Sequence, residues 1–378
     1  MAYLFIAISI VILYWRAHTF RPQGIASLTS LRAFAAAIVF FLHYSDYYRA
    51  DHPGVLSTLL RGGYEGVSVF FVLSGFLLTT SLLRDLKTAS FDLWRYFIRR
   101  AARIYPLYFA LLCMVYVVSP YFVHWQSLFL LQGFFPSVVF TGIPPAWTLT
   151  VEESFYFLLP AVILLCLKIG KSSGLALACL ALMALGFALL ALNLPDLIGS
   201  VQFMWSHTIF GRFPVFAIGI ACAFLYERRK QYPIALLVVS APLFVLFTCL
   251  SAVESEHPDF RLADMFVALA AGAIVLGLAS DHRLTRFIGN RYFAYIGVIS
   301  YALYLVQLTP FIGWLVPLTH SLPDLVAAYA IVTLCAMACY ELIERPARAY
   351  ILQRVGRRTP KSVVLPIKAL SGNKPDAF

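Results

Sequence analysis

Ten long apolar runs constrain the fold of this chain more than any other feature of its sequence. Each is close to the roughly 20 residues that a helix needs to cross a hydrocarbon core about 30 Å thick. They lie near residues 26–45, 65–83, 103–119, 147–167, 174–193, 205–226, 233–250, 264–280, 293–316 and 324–343. Only 12% of the 378 residues are charged, against about a quarter in soluble domains. The sequence therefore predicts an all-α polytopic membrane protein with about ten core helices and excludes a water-soluble globule.

A shorter apolar run, residues 2–15, precedes these ten and ends at Arg16. About 21 Å of helix leaves open a short extra span, an interfacial helix or an uncleaved signal-like anchor. The run has no basic stretch before it and no small-residue cleavage site, so we expect it to be retained. The chain then divides into an N-terminal segment with a basic linker, residues 1–24, a membrane domain, residues 25–346, and a basic cytoplasmic tail, residues 347–378.

Lysine and arginine are distributed unevenly between the loops. Placing residues 84–103 in the cytoplasm sends almost every other basic loop to the same side, because successive spans alternate in direction. The exceptions are three arginines on the other side and two within spans: Arg49, Arg61 and Arg261, then Arg32 and Arg212. We therefore predict that both ends of the core are cytoplasmic. The net charge of +11 therefore indicates how the chain is oriented in the membrane, and no nucleic acid partner is expected.

Cysteine and histidine do not indicate a metal or a disulfide framework. All seven cysteines lie in apolar runs, and no Cys/His spacing is typical of a zinc site. The sequence also has no Walker loop and no Rossmann glycine pattern. We expect no metal cofactor.

Two ionisable residues share one face of the first core run. Arg32 and His43 are eleven positions apart, about 20° beyond three full helical turns and about 16 Å along the axis. Ionisable groups inside spans are costly and often mark functional positions. Snorkelling of Arg32 to headgroups and capping of the helix end by His43 are the alternative interpretation.

A second group of polar residues begins the fourth core run. Glu152 and Glu153 are predicted in the first helical turn at the outer boundary, where the helix dipole favours carboxylates and Thr150 can cap the helix. Helix initiation alone explains them. The alternative is that the two carboxylates, beside Trp147 and Tyr156, hold a hydroxyl-bearing substrate or orient a histidine.

Basic residues cluster before the third core run, and one more lies inside a later run. Arg99 and Arg103 are one turn apart with Arg100 beside them, and guanidinium groups bind phosphate well. The positive-inside rule or anionic lipid binding accounts for the same cluster. Arg212 lies about seven residues inside its run next to Pro214, which predicts a broken helix facing a polar cavity.

Six segments, taken in order, resemble the acyltransferase-3 membrane family. They are LTSLRAFAAAIVFFLHY (28–44), GYEGVSVFFVLSGFLL (63–78), FIRRAARIYPLYF (97–109), WTLTVEESFYFLLP (147–160), ISYALYLVQLTP (299–310) and YELIERP (340–346). The resemblance implies an integral enzyme of the bacterial inner membrane with about ten core helices. It also implies transfer of an acyl group, usually acetyl from acetyl-CoA, to a sugar hydroxyl of an envelope or exported polysaccharide or glycolipid.

The resemblance also implies roles for particular residues. The family's arginine–histidine motif falls on Arg32 and His43, and its basic, acidic and C-terminal acidic motifs fall on Arg99, Arg100 and Arg103, on Glu152 and Glu153, and on Glu344. Two positions depart from the family pattern. Thr29 stands where an acidic residue is frequent, and Gln307 replaces a frequent histidine, so it can donate and accept hydrogen bonds but cannot titrate.

These matches suggest a mechanism in which the three clustered arginines bind the phosphates of CoA at the cytoplasmic mouth and Arg32 contacts the arm. His43 then acts as general base toward the acceptor hydroxyl, with Glu152 or Glu153 orienting the ring. Direct transfer is simpler than an acetyl-histidine intermediate. The predicted substrate site comprises Trp147, Tyr156, Arg212, Tyr301, Tyr304 and Gln307.

Other functions fit the same polar residues. Intramembrane Arg, His and Glu also form relays in transporters and flippases of glycans or anionic precursors, although no inverted repeat is visible in the sequence. A non-catalytic assembly factor is a third interpretation. The acyl chain, the acceptor hydroxyl and the oligomeric state are left open.

Overall fold

The computed structural model describes residues 2–22, 24–254, 262–316 and 319–356. Most of the predicted tail, from residue 357 onward, and Arg261 lie outside these ranges. In the described residues every regular element is a helix. The long helices are α1 (Ala2–Thr19), α2 (Ala26–Tyr44), α3 (Glu65–Lys87), α4 (Leu93–Val118), α5 (Trp147–Ile169), α6 (Lys171–Ala191), α7 (Ile209–Arg228), α8 (Ile234–Glu254), α9 (Leu262–Ala279), α10 (Arg291–Val306), α11 (Leu322–Cys339) and α12 (Arg345–Gly356).

Every one of the ten predicted runs contains a helix, although run 205–226 is divided at Thr208 and the long helix of run 293–316 ends at Val306. Among the described residues, eight helical stretches, containing α2 to α8 and α11, are long and apolar enough to cross a membrane, and α9 and α10 are shorter apolar helices. The predicted all-α polytopic fold is therefore confirmed. Short helices connect the long ones at Asp46–Asp51, Val55–Arg61, Gly62–Tyr64, Pro120–Phe122, Trp125–Leu128, Gln132–Phe134, Pro136–Val138, Pro144–Ala146, Val201–His207, Arg283–Ile288 and Pro310–Gly313.

Loops rich in lysine and arginine lie together at one end of the bundle. The side chain of Lys87 pairs with Glu227, which joins the ends of α3 and α7. Ser27 Oγ donates to the carbonyl oxygen of Leu278 at 2.6 Å, and this bond ties the start of α2 to the end of α9. We call this the basic end; it comprises residues 20–22, 24–26, 84–95, 168–173, 227–233, 279–291 and 340–356.

Glycines allow the central helices to approach closely. A Cβ atom on Gly297 of α10 would lie 1.8 Å from the carbonyl oxygen of Thr29 on α2. Gly75 of α3 and Gly219 of α7 face each other in the same manner: a Cβ on the first would lie 2.4 Å from the Phe216 oxygen, and one on the second 2.2 Å from the Val72 oxygen. Small residues at such crossings are typical of membrane helix packing, where backbones come into direct contact. The α2–α10 crossing places Arg32, one turn beyond Thr29, at the centre of the bundle.

The N-terminal apolar run forms α1, which lies along the outside of the core. Ser9 Oγ donates to the carbonyl oxygen of Ala330, in the middle of α11, at 3.2 Å. Ala17 is fully buried, whereas Ile10 and Trp15 are 61% and 62% exposed. Because a water-facing helix would not present such apolar side chains over successive turns, α1 extends the apolar surface of the bundle.

Residues 119–146 fold back over α4 instead of forming an external loop. Tyr108 OH donates to the carbonyl oxygen of Ser127 at 2.5 Å, and the backbone N–H of Gly133 donates to Thr150 Oγ1 at 3.2 Å. Thr150 therefore receives the connecting segment and does not cap its own helix. The start of α5 is consequently buried beneath this segment.

Two contacts give the depth of the acidic pair on α5. Tyr105, in the middle of α4, donates through its hydroxyl to Glu153 Oε2 at 2.8 Å, and Tyr96 OH donates to the Tyr156 oxygen at 3.1 Å. Glu153 and its neighbour Glu152 thus lie near the middle of the bundle. The prediction that they stand at the outer boundary was wrong, because the apolar run alone does not reveal that the preceding segment folds inward.

Candidate functional site

Three cavities meet at two arginines in the basic half of the bundle. Arg32 on α2 and Arg103 on α4 line all three. We call the first, of about 460 Å³, the basic vestibule; it is also lined by Arg16, Arg21, Glu341, Glu344, Arg345 and Arg348. The second, of about 400 Å³, is the side chamber, lined also by Ile25, Leu77, Ser81, Arg100, Glu152 and Tyr156. The third, of about 50 Å³, is the inner pocket, lined also by Phe70, Ser74, Thr148, Glu152, Tyr301 and Tyr304.

The guanidinium groups of Arg32 and Arg103 have carboxylates near them but none in direct contact: Glu152 lines two of the three cavities and Glu344 lines the vestibule. Neither group donates a hydrogen bond to, or forms an ion pair with, any residue that the structure describes. A guanidinium carries five donors and a permanent charge, so its attraction for anions is retained when no carboxylate is in contact. The junction of the three cavities therefore presents guanidinium donors that an anion could use.

Arg100 and Arg99 differ in their surroundings. The Arg100 guanidinium carbon lies 5.4 Å from the ring centroid of Tyr96 and 5.9 Å from that of Tyr156, and its Nε is buried without a partner among the described residues. Arg99 is exposed and lies 3.9 Å from Asp85, outside the three cavities. The predicted cluster is thus divided: Arg100 and Arg103 face the cavities, whereas Arg99 lies near the start of α4, beside Asp85 at the end of α3.

Glu152 and Glu153 point in different directions, because successive helical residues are about 100° apart. Ser74 Oγ donates to Glu152 Oε1 at 2.8 Å, and this carboxylate lines both the inner pocket and the side chamber. Glu153 accepts from Tyr105. The prediction that one of them orients His43 finds no supporting contact, because both lie near the arginine level of the bundle.

His43 lies near the other end of α2, and its ring faces α10. The side chain of Gln307 is beside the imidazole, and Tyr44, the next residue, donates through its hydroxyl to the Gln307 carbonyl oxygen. Gln307 is fully buried. His43 Nδ1 and both polar atoms of the Gln307 side chain are buried without hydrogen-bond partners in the described part of the chain.

One face of α10 leads from the arginine junction toward His43. Tyr301 and Tyr304 line the inner pocket, and Gln307 follows Tyr304 after about 4.5 Å of helix. Tyr304 OH accepts from Thr148 Oγ1 at 3.0 Å and lies 3.3 Å from the Pro145 oxygen. Tyr304 is the last residue of this face to line the inner pocket, and His43 is not among the lining residues of the three cavities.

The remaining predicted substrate residues divide between this site and other parts of the fold. Tyr156 lines the side chamber, and Tyr301 lines the inner pocket while donating to the Ile104 oxygen at 2.7 Å. Trp147 packs against the ring of His207, with 4.6 Å between centroids. These aromatic residues pack within the bundle and do not form a common surface.

Arg212 does not face any of the three cavities. Its Nε donates to the Ser206 oxygen at 2.9 Å, and its guanidinium lies 3.7 Å from Asp264. Helix α7 continues through Pro214, and the predicted break is instead at Thr208, whose backbone is extended between two helices. Asp264 in turn accepts from Ser251 Oγ at 2.7 Å, so the arginine belongs to a buried polar cluster between α7, α8 and α9.

Several cavity residues were missed by the sequence analysis. Ser74 is a polar residue in an apolar run, and the hydrogen bond to Glu152 gives it a place in the inner pocket. Arg16, Arg21 and Arg348 line the basic vestibule although the sequence analysis interpreted them only as orientation charges. Ser74 could have been found because it is a polar residue within a membrane span. The sequence contains no comparable signal for the three arginines.

Comparison with known proteins places these features in a family context. The family model Acyl_transf_3, described as an acyltransferase domain, matches residues 25–341. Peptidoglycan O-acetyltransferase OatA of Listeria monocytogenes is 27% identical over 333 residues, which cover 77% of this chain and 50% of that protein. O-acetyltransferase OatA of Staphylococcus aureus is 24% identical over 319 residues, covering 76% and 50%. The chain spans about half the length of these curated relatives, and no solved structure matches it significantly.

Proposed function

The chain belongs to the acyltransferase-3 family, and on that premise we propose that it is a membrane O-acetyltransferase that takes acetyl from acetyl-CoA. We propose a sugar hydroxyl of a bacterial envelope polysaccharide as acceptor, with peptidoglycan as the first candidate because one relative carries that name. The observation that carries the proposal is the meeting of three cavities at Arg32 and Arg103, whose guanidinium groups have no acceptor among the described residues.

The cavities fit the shape of the proposed donor. CoA has a phosphate-rich nucleotide at one end of a thin pantetheine arm, and the site has two wide cavities at the basic end and one narrow inner pocket. Arginine binds phosphate oxygens through paired N–H donors. In the proposal Arg32, Arg100 and Arg103 hold the phosphates, and the arm enters the inner pocket toward Tyr304. About 16 Å of helix separates Arg32 from His43, a distance on the scale of the arm.

The reaction follows from the groups near the end of this path. His43 removes the proton of the acceptor hydroxyl as its oxygen attacks the thioester carbonyl carbon. The carbon–sulfur bond then breaks, CoA leaves, and the proton passes from the imidazolium to its sulfur. The buried side-chain amide of Gln307, which has no partner within the described residues, is placed to donate to the oxyanion that develops.

The proposal includes a division between compartments. The donor enters from the basic end, which the lysine and arginine bias assigns to the cytoplasm of a bacterial inner membrane. The acceptor reaches His43 from the opposite end, where α2 finishes at Tyr44. Glu152 and its bond to Ser74 then belong to the donor side, near the arginines. In this arrangement only the acetyl group has to pass between the two sides.

Release of CoA in a defined membrane tests the proposal. Purified protein in lipid nanodiscs is given acetyl-CoA and soluble peptidoglycan fragments, and free thiol and acetylated fragments are measured by thiol titration and mass spectrometry. We expect His43→Asn to lower acetyl transfer by roughly 10²-fold or more. His124→Asn is the control, because His124 is exposed in residues 119–146 and lies outside the cavities. If the wild-type protein releases no thiol and leaves the acceptor unmodified, the proposed acetyltransferase activity is rejected and a transporter or flippase is favoured.

A further inference from the structure

We propose that the basic vestibule binds the phosphorylated nucleotide end of the acyl donor through Arg16 of α1, Arg21 just after α1, and Arg348 of α12. The inference rests on the proposed function, because it assigns one part of the same donor to one of the three cavities. It adds to the donor site residues that lie outside the range matched by the family model, residues 25–341.

The vestibule contains more positive than negative charge. Six of its lining residues are arginines and two are glutamates: Arg16, Arg21, Arg32, Arg103, Arg345 and Arg348, with Glu341 and Glu344. Arg345 is paired with Glu341 at 2.7 Å. Arg16, Arg21 and Arg348 form no ion pair within the part of the chain that the structure describes. The vestibule therefore retains a net positive charge that attracts an anion of more than one charge.

Aromatic packing surrounds Arg16 and Arg21 at the wall of the vestibule. The rings of Tyr14 and Tyr292 stack with 5.8 Å between centroids, and Phe20 meets Tyr295 edge to face at 5.6 Å. These contacts fix the end of α1 against the start of α10, on both sides of Arg16 along the chain. Because the neighbouring side chains are already packed, binding an anion there orders fewer groups than it would on a segment without such contacts.

A turn of π-helix forms another part of the vestibule wall. Residues Tyr340–Glu344 form this turn between α11 and α12, and it brings Glu341 and Glu344 to the vestibule. Such turns interrupt the regular helix and are frequent at functional sites. Arg348 follows on the first turn of α12 and lines both the vestibule and the side chamber.

The volume and position of the vestibule favour the nucleotide end over the arm. It is the largest of the three cavities, at about 460 Å³. Arg32 and Arg103 are the two residues that line both it and the inner pocket. A donor whose pyrophosphate lies at that junction would place its ribose 3′-phosphate further toward the basic end. A phosphate of an anionic lipid headgroup has the same chemistry, so the test must separate the two sources.

The ribose 3′-phosphate gives a specific probe. We expect the wild-type protein to show a KM for acetyl-3′-dephospho-CoA roughly tenfold above that for acetyl-CoA, the size of one or two hydrogen bonds to a charged group. The double variant Arg16→Gln/Arg21→Gln, and separately Arg348→Gln, should reduce this ratio to about two or less, because the KM for acetyl-CoA rises toward that for the dephospho compound when the contact with the 3′-phosphate is lost. Arg354→Gln is the control, since this exposed arginine is on the same helix as Arg348 but lines none of the three cavities.

The outcomes separate the inference from the proposed function. A KM ratio that stays at the wild-type value in the vestibule variants overturns the inference, while turnover of acetyl-CoA keeps the proposed function. Complete absence of turnover by the wild-type protein rejects both. The same measurements in nanodiscs of zwitterionic lipid alone, and of zwitterionic with anionic lipid, identify the source of the phosphate. We expect the KM ratio to be independent of lipid composition. An effect of the variants that is seen only with anionic lipid overturns the inference in favour of headgroup binding.

Discussion

Arg32 and Arg103 lie inside the bundle with no ion pair to a described residue. A charged group inside a membrane protein is normally paired or in contact with water, and these two guanidinium groups line cavities. Glu152 lines two of these cavities and accepts a hydrogen bond from Ser74, so its charge is near the arginines without an ion pair to either. The arrangement keeps donors available for a ligand that arrives with its own negative charge.

Replacing Arg103 tests whether that ligand is the acyl donor. We expect Arg103→Gln to raise the KM for acetyl-CoA by about tenfold or more, because hydrogen bonds to charged groups contribute about 1.5–3 kcal/mol, with little change in the KM for the acceptor. Steady-state kinetics with each substrate varied in turn gives both values. Arg99→Gln serves as the matched control: it removes the same charge from the same helix, one turn away, but at an exposed position beside Asp85. Equal effects of the two substitutions would contradict the assignment.

Gln307 offers a second test at the scale of single residues. It lies beside His43 with its amide unpartnered in the described residues, so Gln307→Leu should lower kcat about tenfold or more and leave the KM for acetyl-CoA almost unchanged. The physical reason is loss of a donor that acts only as the oxyanion forms. Gln132→Leu is the control, because Gln132 is also fully buried with an unpartnered amide among these residues, but lies in the segment over α4. A rise in KM without a change in kcat would place Gln307 in donor binding instead.

At the scale of helices, the crossing of α2 and α10 determines where Arg32 lies. A methyl group on Gly297 would be 1.8 Å from the Thr29 oxygen, so the two backbones would have to separate. Overpacking of this kind costs about 1–3 kcal/mol. We therefore expect Gly297→Ala to lower the midpoint of thermal unfolding in detergent and to weaken binding of acetyl-CoA, since the helix that carries Arg32 is displaced.

Gly313→Ala is the control for this substitution. A Cβ atom at Gly313 meets no heavy atom within 4 Å, so the same chemical change adds no clash. Thermal unfolding followed by intrinsic fluorescence, together with donor binding by calorimetry, compares the two variants. If both unfold at the wild-type temperature, the close crossing of α2 and α10 is not a constraint on this fold.

The helices could be predicted from the sequence, but their connections could not. Hydropathy reveals runs of about 20 apolar residues because the bilayer requires them, and each of the ten contains a helix. The depth of Glu152 and Glu153 depends on residues 119–146, which fold onto α4 through contacts such as Tyr108 with Ser127. No local pattern encodes a contact of that kind, so the acidic pair was placed at the wrong level of the bundle.

The site was predicted in its residue types and only partly in its geometry. The common face of Arg32 and His43 follows from helical periodicity, and α2 is continuous between them. The separation of Arg99 from Arg103 depends on Asp85 at the end of another helix, and the position of Arg212 depends on Asp264. Side-chain partners on distant helices decided both cases, and a single sequence does not identify such partners.

At the scale of the whole molecule, the site is divided between two ends. The arginines and the two wide cavities lie in the half that contains the basic end, whereas His43 lies near the last residue of α2, Tyr44. A donor and an acceptor from different compartments can therefore meet only through the interior. Which compartment supplies the donor depends on the orientation of the bundle, and this follows in our proposal from lysine and arginine bias alone.

Cysteine labelling at the two ends of α4 measures that orientation directly. Ser90 is exposed before α4 at the basic end, and Tyr121 is 95% exposed after it. In intact spheroplasts, we expect a membrane-impermeant maleimide to label Tyr121→Cys and not Ser90→Cys, with the pattern reversed in inverted membrane vesicles. Wild-type protein is the control for the native cysteines, all seven of which lie in helices. The opposite labelling pattern would place the basic end and its arginines outside the cytoplasm. The phosphate-bearing donor would then have to arrive from outside the cell, where acetyl-CoA is not supplied, so the assignment of acetyl-CoA to this site would fail.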